Sequence, residues 1–123
     1  MTEETASLLE RATECKSKQF KLDGLRYAKE QGWANTSDIT KLEKEIRQNI
    51  NEVKKLYRRQ KEKDKDFFEK IKNKISELIE LSEDYHIGEE YLEDAIRLLS
   101  GESEDDICWS LYVIKEVAEK ENI

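Results

Sequence analysis

Not one of the 123 residues is proline, and only three are valine, against 12 leucines and 11 isoleucines. Ordinary usage near 5% predicts about six prolines in such a length. Proline is the residue helices tolerate least, and valine is among those strands favour most. A chain that lacks the first and nearly lacks the second reads as helical throughout, and a β-sandwich or barrel is argued against. The expected fold is all-α: a four- or five-helix bundle forming one domain over residues 1–123, with a long central helix or helical hairpin at about 38–84.

Charged residues make up 41% of the chain and hydrophobic ones 37%. No stretch approaches the ~20 apolar residues a spanning helix needs, so no membrane segment is expected. The opening MTEETASLLE carries Glu3 and Glu4 and lacks the basic and apolar blocks of a secretory signal, which predicts a cytoplasmic protein. Cys15 and Cys108 are too far apart to form a small-protein disulfide framework. Each lies within a helical pattern, where a free thiol behaves as a small hydrophobe. Buried, reduced thiols are expected, and a redox pair arises only if the fold brings the two together.

Residues 3–31 read as a first helix, with Leu8, Ala12, Cys15, Leu22 and Leu25 at helical spacing and polar Gln19 among them. Gly24 suggests a bend. Gly32 suits the left-handed position after the helix, with Trp33 folding back on Ala28 or Tyr27. Ser37 is the expected N-cap of the next helix, with Asp38 favourably placed in its first turn. Ile39, Leu42, Ile46, Val53 and Leu56 then make a seam close to a coiled coil, with Asn49 at one core-like position. Arg58 to Asp66 contains nothing apolar. The pattern resumes, displaced, at Phe67/Phe68, Ile71, Ile75 and Leu78. Either one helix runs through 38–84, about 70 Å long, or residues 59–66 form a polar corner. No glycine, proline or asparagine marks a turn there, and Asp66–Lys70 is a helix-favouring pair, so the continuous or barely interrupted helix is preferred.

His86, Ile87 and Gly88 suggest a break before a short helix at about 89–100, closed by Gly101. Ser103 resembles an N-cap followed by Glu104, Asp105 and Asp106, and predicts a last helix at about 104–121. Seven of the eight residues from Ile107 to Ile114 are apolar. Ile107, Leu111, Ile114 and Ala118 form one stripe, and Trp109, Val113 and Val117 another on nearly the opposite side. A helix apolar nearly all round occupies a central position or a subunit interface.

Charge is segregated along the chain: net −1 over residues 1–53, +6 over 54–74 and −12 over 75–123. The basic stretch either pairs with the acidic half, within the chain or across a dimer, or contacts nucleic acid through Lys54, Lys55, Arg58, Arg59, Lys61, Lys63 and Lys65. The pI near 4.9 weighs against nonspecific phosphate binding and favours pairing.

The chain holds one histidine. Glu83 and His86 have the Glu-x-x-His spacing of carboxylate-bridged metal bundles, which require a second such pair, so a structural histidine is expected. Glu89, Glu90 and Glu93 fit Glu-Glu-x-x-Glu, and Glu102 and Asp105 fit Glu-x-x-Asp. Together they resemble a reduced form of the magnesium site of the MazG-like all-α nucleoside triphosphate pyrophosphohydrolases. That resemblance implies Mg²⁺ held by these five carboxylates with triphosphate oxygens presented to it. It covers residues 89–105 alone, and eight residues part the two motifs, fewer than that family's antiparallel helix pair needs. The leading expectation is a non-enzymatic, cofactor-free helical interaction module, a homodimer or small subunit of a larger assembly, meeting its protein partner through Trp109, Tyr112, Val113 and Val117. A nucleic-acid-associated subunit and the Mg²⁺-dependent enzyme are the alternatives.

Overall fold

The computed structural model describes residues 1–81 and 89–123, so Glu83 and His86 lie outside the described residues. Among the described residues are five helices and no strand: α1 (Glu3–Glu30), α2 (Thr36–Lys63), α3 (Lys65–Leu81), α4 (Glu89–Leu99) and α5 (Ile107–Lys120). The chain is an all-α bundle. None of these helices is long and apolar enough to cross a membrane.

α1 runs unbroken through Gly24, whose solvent-facing position needs no bend. It stops as the sequence predicts. Gly32 takes φ +78°, the Gly32 N–H donates to the Lys29 carbonyl at 2.9 Å, and the Trp33 N–H donates to the Ala28 carbonyl at 2.7 Å. Those bonds satisfy carbonyls that a helix end otherwise leaves unpaired. Gly101 ends α4 in the same way, at φ +79°. The N-cap of α2 is Asn35, two residues before Ser37. Its Oδ1 accepts the Asp38 N–H at 3.1 Å and the Ser37 hydroxyl at 2.7 Å. α5 starts at Ile107, later than expected, because the Ser103 hydroxyl accepts the Asp105 N–H and so caps a local turn.

Among the described residues, the expected helix over about 38–84 is interrupted by a single residue between α2 and α3. The break is at Asp64, which departs from helical geometry at φ −119°, ψ 50° while its own N–H still donates to the Gln60 carbonyl. Its carboxylate accepts the Thr2 N–H at 3.0 Å and the Thr5 hydroxyl at 2.8 Å. The corner is thus pinned on the start of α1, where the helix dipole adds to the attraction. Nor is the seam displaced. Val53, Tyr57, Gln60, Asp64, Phe67, Ile71 and Ile75 follow one 3-4 spacing, with Gln60 buried at 3% exposure as a polar member of it.

Partial burial acts to raise the Asp64 pKa, but the bonds from Thr2 and Thr5 outweigh it and hold the carboxyl below its ordinary range. A group depressed on folding contributes stability that is full above the unfolded pKa, ~3.9, and is lost as pH falls through the lower folded value. Asp64→Ala is therefore expected to cost about 1–2 kcal/mol at pH 7. In urea titrations from pH 6 to pH 2, the gap from wild type should close with acidification. A pH-independent gap would contradict this role.

α5 is central. It packs chiefly on α1 and α4 and also touches α2 and α3, so its surplus apolar surface is absorbed by the other four helices. Ile107, Cys108, Leu111 and Ile114 are 1% exposed or less. Each large apolar side chain so buried contributes roughly 1.5–3 kcal/mol. Val113 and Val117 are buried too, at 9% and 7% exposure. These two expected interface residues belong to the core, because α5 has neighbours on both sides of the stripe they share with Trp109. Near the corner, the buried Tyr57 hydroxyl donates to the Leu98 carbonyl at 3.1 Å, tying α2 to the end of α4.

Candidate interaction surface

The 3.6-residue period of α1 sets Lys16 and Phe20 one above the other. α5 crosses beside them and presents Trp109 and Tyr112, and α4 brings Tyr91 over the indole. Phe20 meets Trp109 edge-on at 6.0 Å between centroids, Tyr91 lies 4.9 Å from it and Tyr112 5.8 Å. The Lys16 ammonium stands 3.4 Å from the Tyr112 ring centroid, 4.4 Å from Trp109 and 5.0 Å from Phe20. Such contacts attract a cation to the negative faces of the rings. Desolvation lowers the Lys16 pKa, against the opposing pull of Glu116.

Phe20 is 55% exposed and Tyr91 48%, while Trp109 and Tyr112 are half-buried. The Trp109 Nε1 is buried and has no hydrogen-bond partner. Alongside runs a cleft of about 460 Å³, lined by Lys16, Phe20, Tyr91 and Trp109 and by Asp23, Asp94 and Asp106. Four aromatic rings from three helices, two of them about half in solvent, form an apolar surface with a charged rim, in which Arg26 pairs with Asp23 and Arg97 with Asp94. Lys16, Phe20 and Tyr91 were not singled out from sequence as parts of this surface. Phe20 falls one position off the apolar stripe of α1, and an aromatic on an otherwise polar helix face was the available signal.

The basic stretch divides in two. Arg58 is bonded through both Nε and Nη2 to the Glu104 carboxylate, with Nε at 3.0 Å. This pairing, reinforced by Lys54 and Lys61, holds the Glu104 carboxyl below its ordinary range even though partial burial works to raise it. Lys61 also lies 5.8 Å above the Tyr57 ring. These contacts are the pairing between basic and acidic segments, made within one chain. Lys55, Arg59, Lys63 and Lys65 are exposed, and among the described residues no ion pair holds them. Lys55, Arg59 and Lys63 follow each other at i, i+4, i+8 along α2 and share one face.

Of the carboxylates in the magnesium-site resemblance, those of Glu90, Glu93, Glu102 and Asp105 are not gathered into one group. Glu89, Glu90 and Glu93 lie in the first turns of α4, whereas Glu102 and Asp105 lie in the turn beyond its other end. From Glu93 to Leu99 the helix rises roughly 9 Å, and Glu102 and Asp105 lie further along the chain. Among the described residues, no group of three or more His, Cys, Asp or Glu side chains is arranged to hold a metal.

Cys15 and Cys108 belong to the first and last helices. Both are free thiols buried at 1% exposure or less, on two helices that pack together. Compared with protein-family models, with curated proteins and with solved structures, the chain matches none.

Proposed function

We propose that the chain is a non-enzymatic helical interaction module that meets a protein partner, a second copy or another subunit, through the surface formed by Phe20, Tyr91, Trp109 and Tyr112. The observation that carries this reading is the exposure of Phe20 and Tyr91 on either side of a half-buried tryptophan. Clustered aromatic surface of this kind is over-represented where proteins dock, and its burial dominates the energy of such contacts. The partner places an apolar side chain on the open rings and a basic group over Asp106. The net charge of −12 over residues 75–123 steers a positively charged surface towards them.

The test is light scattering on chromatographed protein isolated from its own cells. Wild type is expected to elute well above 14.6 kDa, as a dimer or a mixed complex. Phe20→Glu with Tyr91→Glu is expected to elute at the protomer mass with helicity unchanged. Wild type eluting as a bare protomer would overturn the reading. The stripe of Lys55, Arg59 and Lys63 supports a second reading, association with nucleic acid. Co-eluting nucleic acid that survives the aromatic variant but is lost when those three residues become glutamate would favour it instead.

A further inference from the structure

The outer face of α1 carries a pattern that the single chain does not need. Ser17, Phe20, Gly24 and Tyr27 recur at the three- and four-residue spacing of one helix face, and all four are exposed. Glycine inside an exposed helix is destabilising relative to alanine. Gly24 gains nothing in return within the chain: it lies in regular helix, and a Cβ built on it would meet no atom of the described residues within 4 Å. On either side of this hollow stand Phe20 and Tyr27, each more than half in solvent, with Trp33 edge-on to Tyr27 at 6.4 Å between centroids. We propose that two copies of the chain pair along this face about a two-fold axis, α1 against α1 and antiparallel, with Phe20 of each seated over Gly24 of the other and Tyr27 over Ser17. This rests on the reading of Phe20 as part of a partner surface, and it names the partner.

A two-fold contact must complement itself: where one residue meets a second, the second meets the first. Turning α1 end for end about the level of Leu22 sets position 20 opposite 24 and position 17 opposite 27. Each large ring then faces a position with little or no side chain, so knobs fill holes on both sides of the axis. A parallel pairing does the reverse, setting Phe20 on Phe20 and leaving the two glycines facing each other across a void. Ser17 also brings no unmet polar group to the contact, because its hydroxyl donates to the Thr13 carbonyl at 3.1 Å.

Area and charge both favour a second copy. An enclosed aromatic side chain buries roughly 150–250 Å². Phe20, Tyr27, Trp33 and Tyr91 are about half or more in solvent, so their open rings supply roughly half of the ~800 Å² per partner that a stable dimer buries. Residues 16–31 hold five Lys/Arg and two Asp/Glu, a net of +3, against −12 over residues 75–123, whose α5 packs on α1. A second α1 laid along the first therefore brings positive charge towards Asp106 and the acidic half of the chain.

The experiment is sedimentation equilibrium of the purified chain alone at micromolar concentration, where wild type is expected to be a dimer. Gly24→Leu fills the hollow and should raise the dimer dissociation constant roughly 100-fold or more. In dilute protein, where both chains are protomers, the same substitution should raise Tm by about 3 °C, since leucine suits a helix better than glycine; the loss of pairing is then not a loss of fold. Phe20→Ala weakens the dimer from the other side of the contact. Mixed in equal amounts, the two variants should pair again: the truncated position of one copy faces the added side chain of the other, and the second contact keeps Phe20 over Gly24. Purified wild type at the protomer mass, a Gly24→Leu chain that dimerises like wild type, or a mixture no tighter than its two components would each overturn the two-fold pairing. The broader reading of the aromatic surface would survive those results if a mixed complex isolated from cells were still lost in Phe20→Glu with Tyr91→Glu.

Discussion

Leu111→Ala is expected to remove about 3–4 kcal/mol of stability and to lower Tm by roughly 10–15 °C. Leu111 has no exposed surface and lies in the first half of α5, which packs on all four other helices. A cavity there is walled by several elements at once, and none can close over it without shifting against another, so little of the void is recovered. In a small domain with about 5–15 kcal/mol in total, this is a large fraction. Urea unfolding checks it: the midpoint should fall while the slope is retained. Phe20→Ala provides the contrast, with an expected cost of about 1 kcal/mol or less in the isolated protomer, because that ring is more than half in solvent. Equal losses at the two positions would mean that α5 is not the centre of the bundle.

Phe68→Ala is expected to cost about the same, 3–5 kcal/mol. Phe68 is 4% exposed and meets two rings edge-on: Tyr57 at 5.7 Å and Phe67 at 5.1 Å. Edge-to-face pairs contribute about 0.5–1.5 kcal/mol beyond the area they bury. Removing this ring undercuts the corner between α2 and α3 and leaves Tyr57, whose hydroxyl holds the end of α4, without its support. Phe68→Leu should recover more than half of the loss, since it restores volume without the ring contacts. Hydrogen exchange distinguishes local from global damage: amides of Asp64 and Phe68, at the break and one turn beyond it, should lose protection more than those of α1.

The helical class and most helix ends were legible because they depend on local chemistry. Gly32 and Gly101 adopt the left-handed conformation their positions demanded, and the apolar period of each helix reports its buried face. The break at Asp64 lies inside the 59–66 stretch weighed as a polar corner, but nothing local singled out its residue. Its cause is an acceptor for Thr2 and Thr5, some sixty positions earlier in the chain, and no local turn residue marks it. For the same reason the seam looked interrupted: Gln60 and Asp64 occupy core-facing positions as polar residues, and a hydropathy pattern scores them as gaps. Asn35 displaced Ser37 as the cap because both residue types suit that position and only the backbone path chooses between them. The apolar excess of α5 was read correctly as a sign of close neighbours. Sequence alone left open whether those neighbours belonged to the same chain, and Val113 and Val117 are covered from within.

Of the apolar excess, the open edge around Trp109 is what remains for a partner. Trp33→Phe leaves Trp109 as the single tryptophan, and acrylamide quenching of its emission reports how far the indole is covered. In the isolated protomer Trp109 should be quenched several-fold more slowly than Trp33, which is 73% exposed and is read alone in Trp109→Phe. On assembly, quenching of Trp109 should slow again and its emission move to shorter wavelength, and Phe20→Glu with Tyr91→Glu should abolish that second change. A Trp109 quenched as readily as Trp33 in the protomer, or unaltered by assembly, would contradict the account.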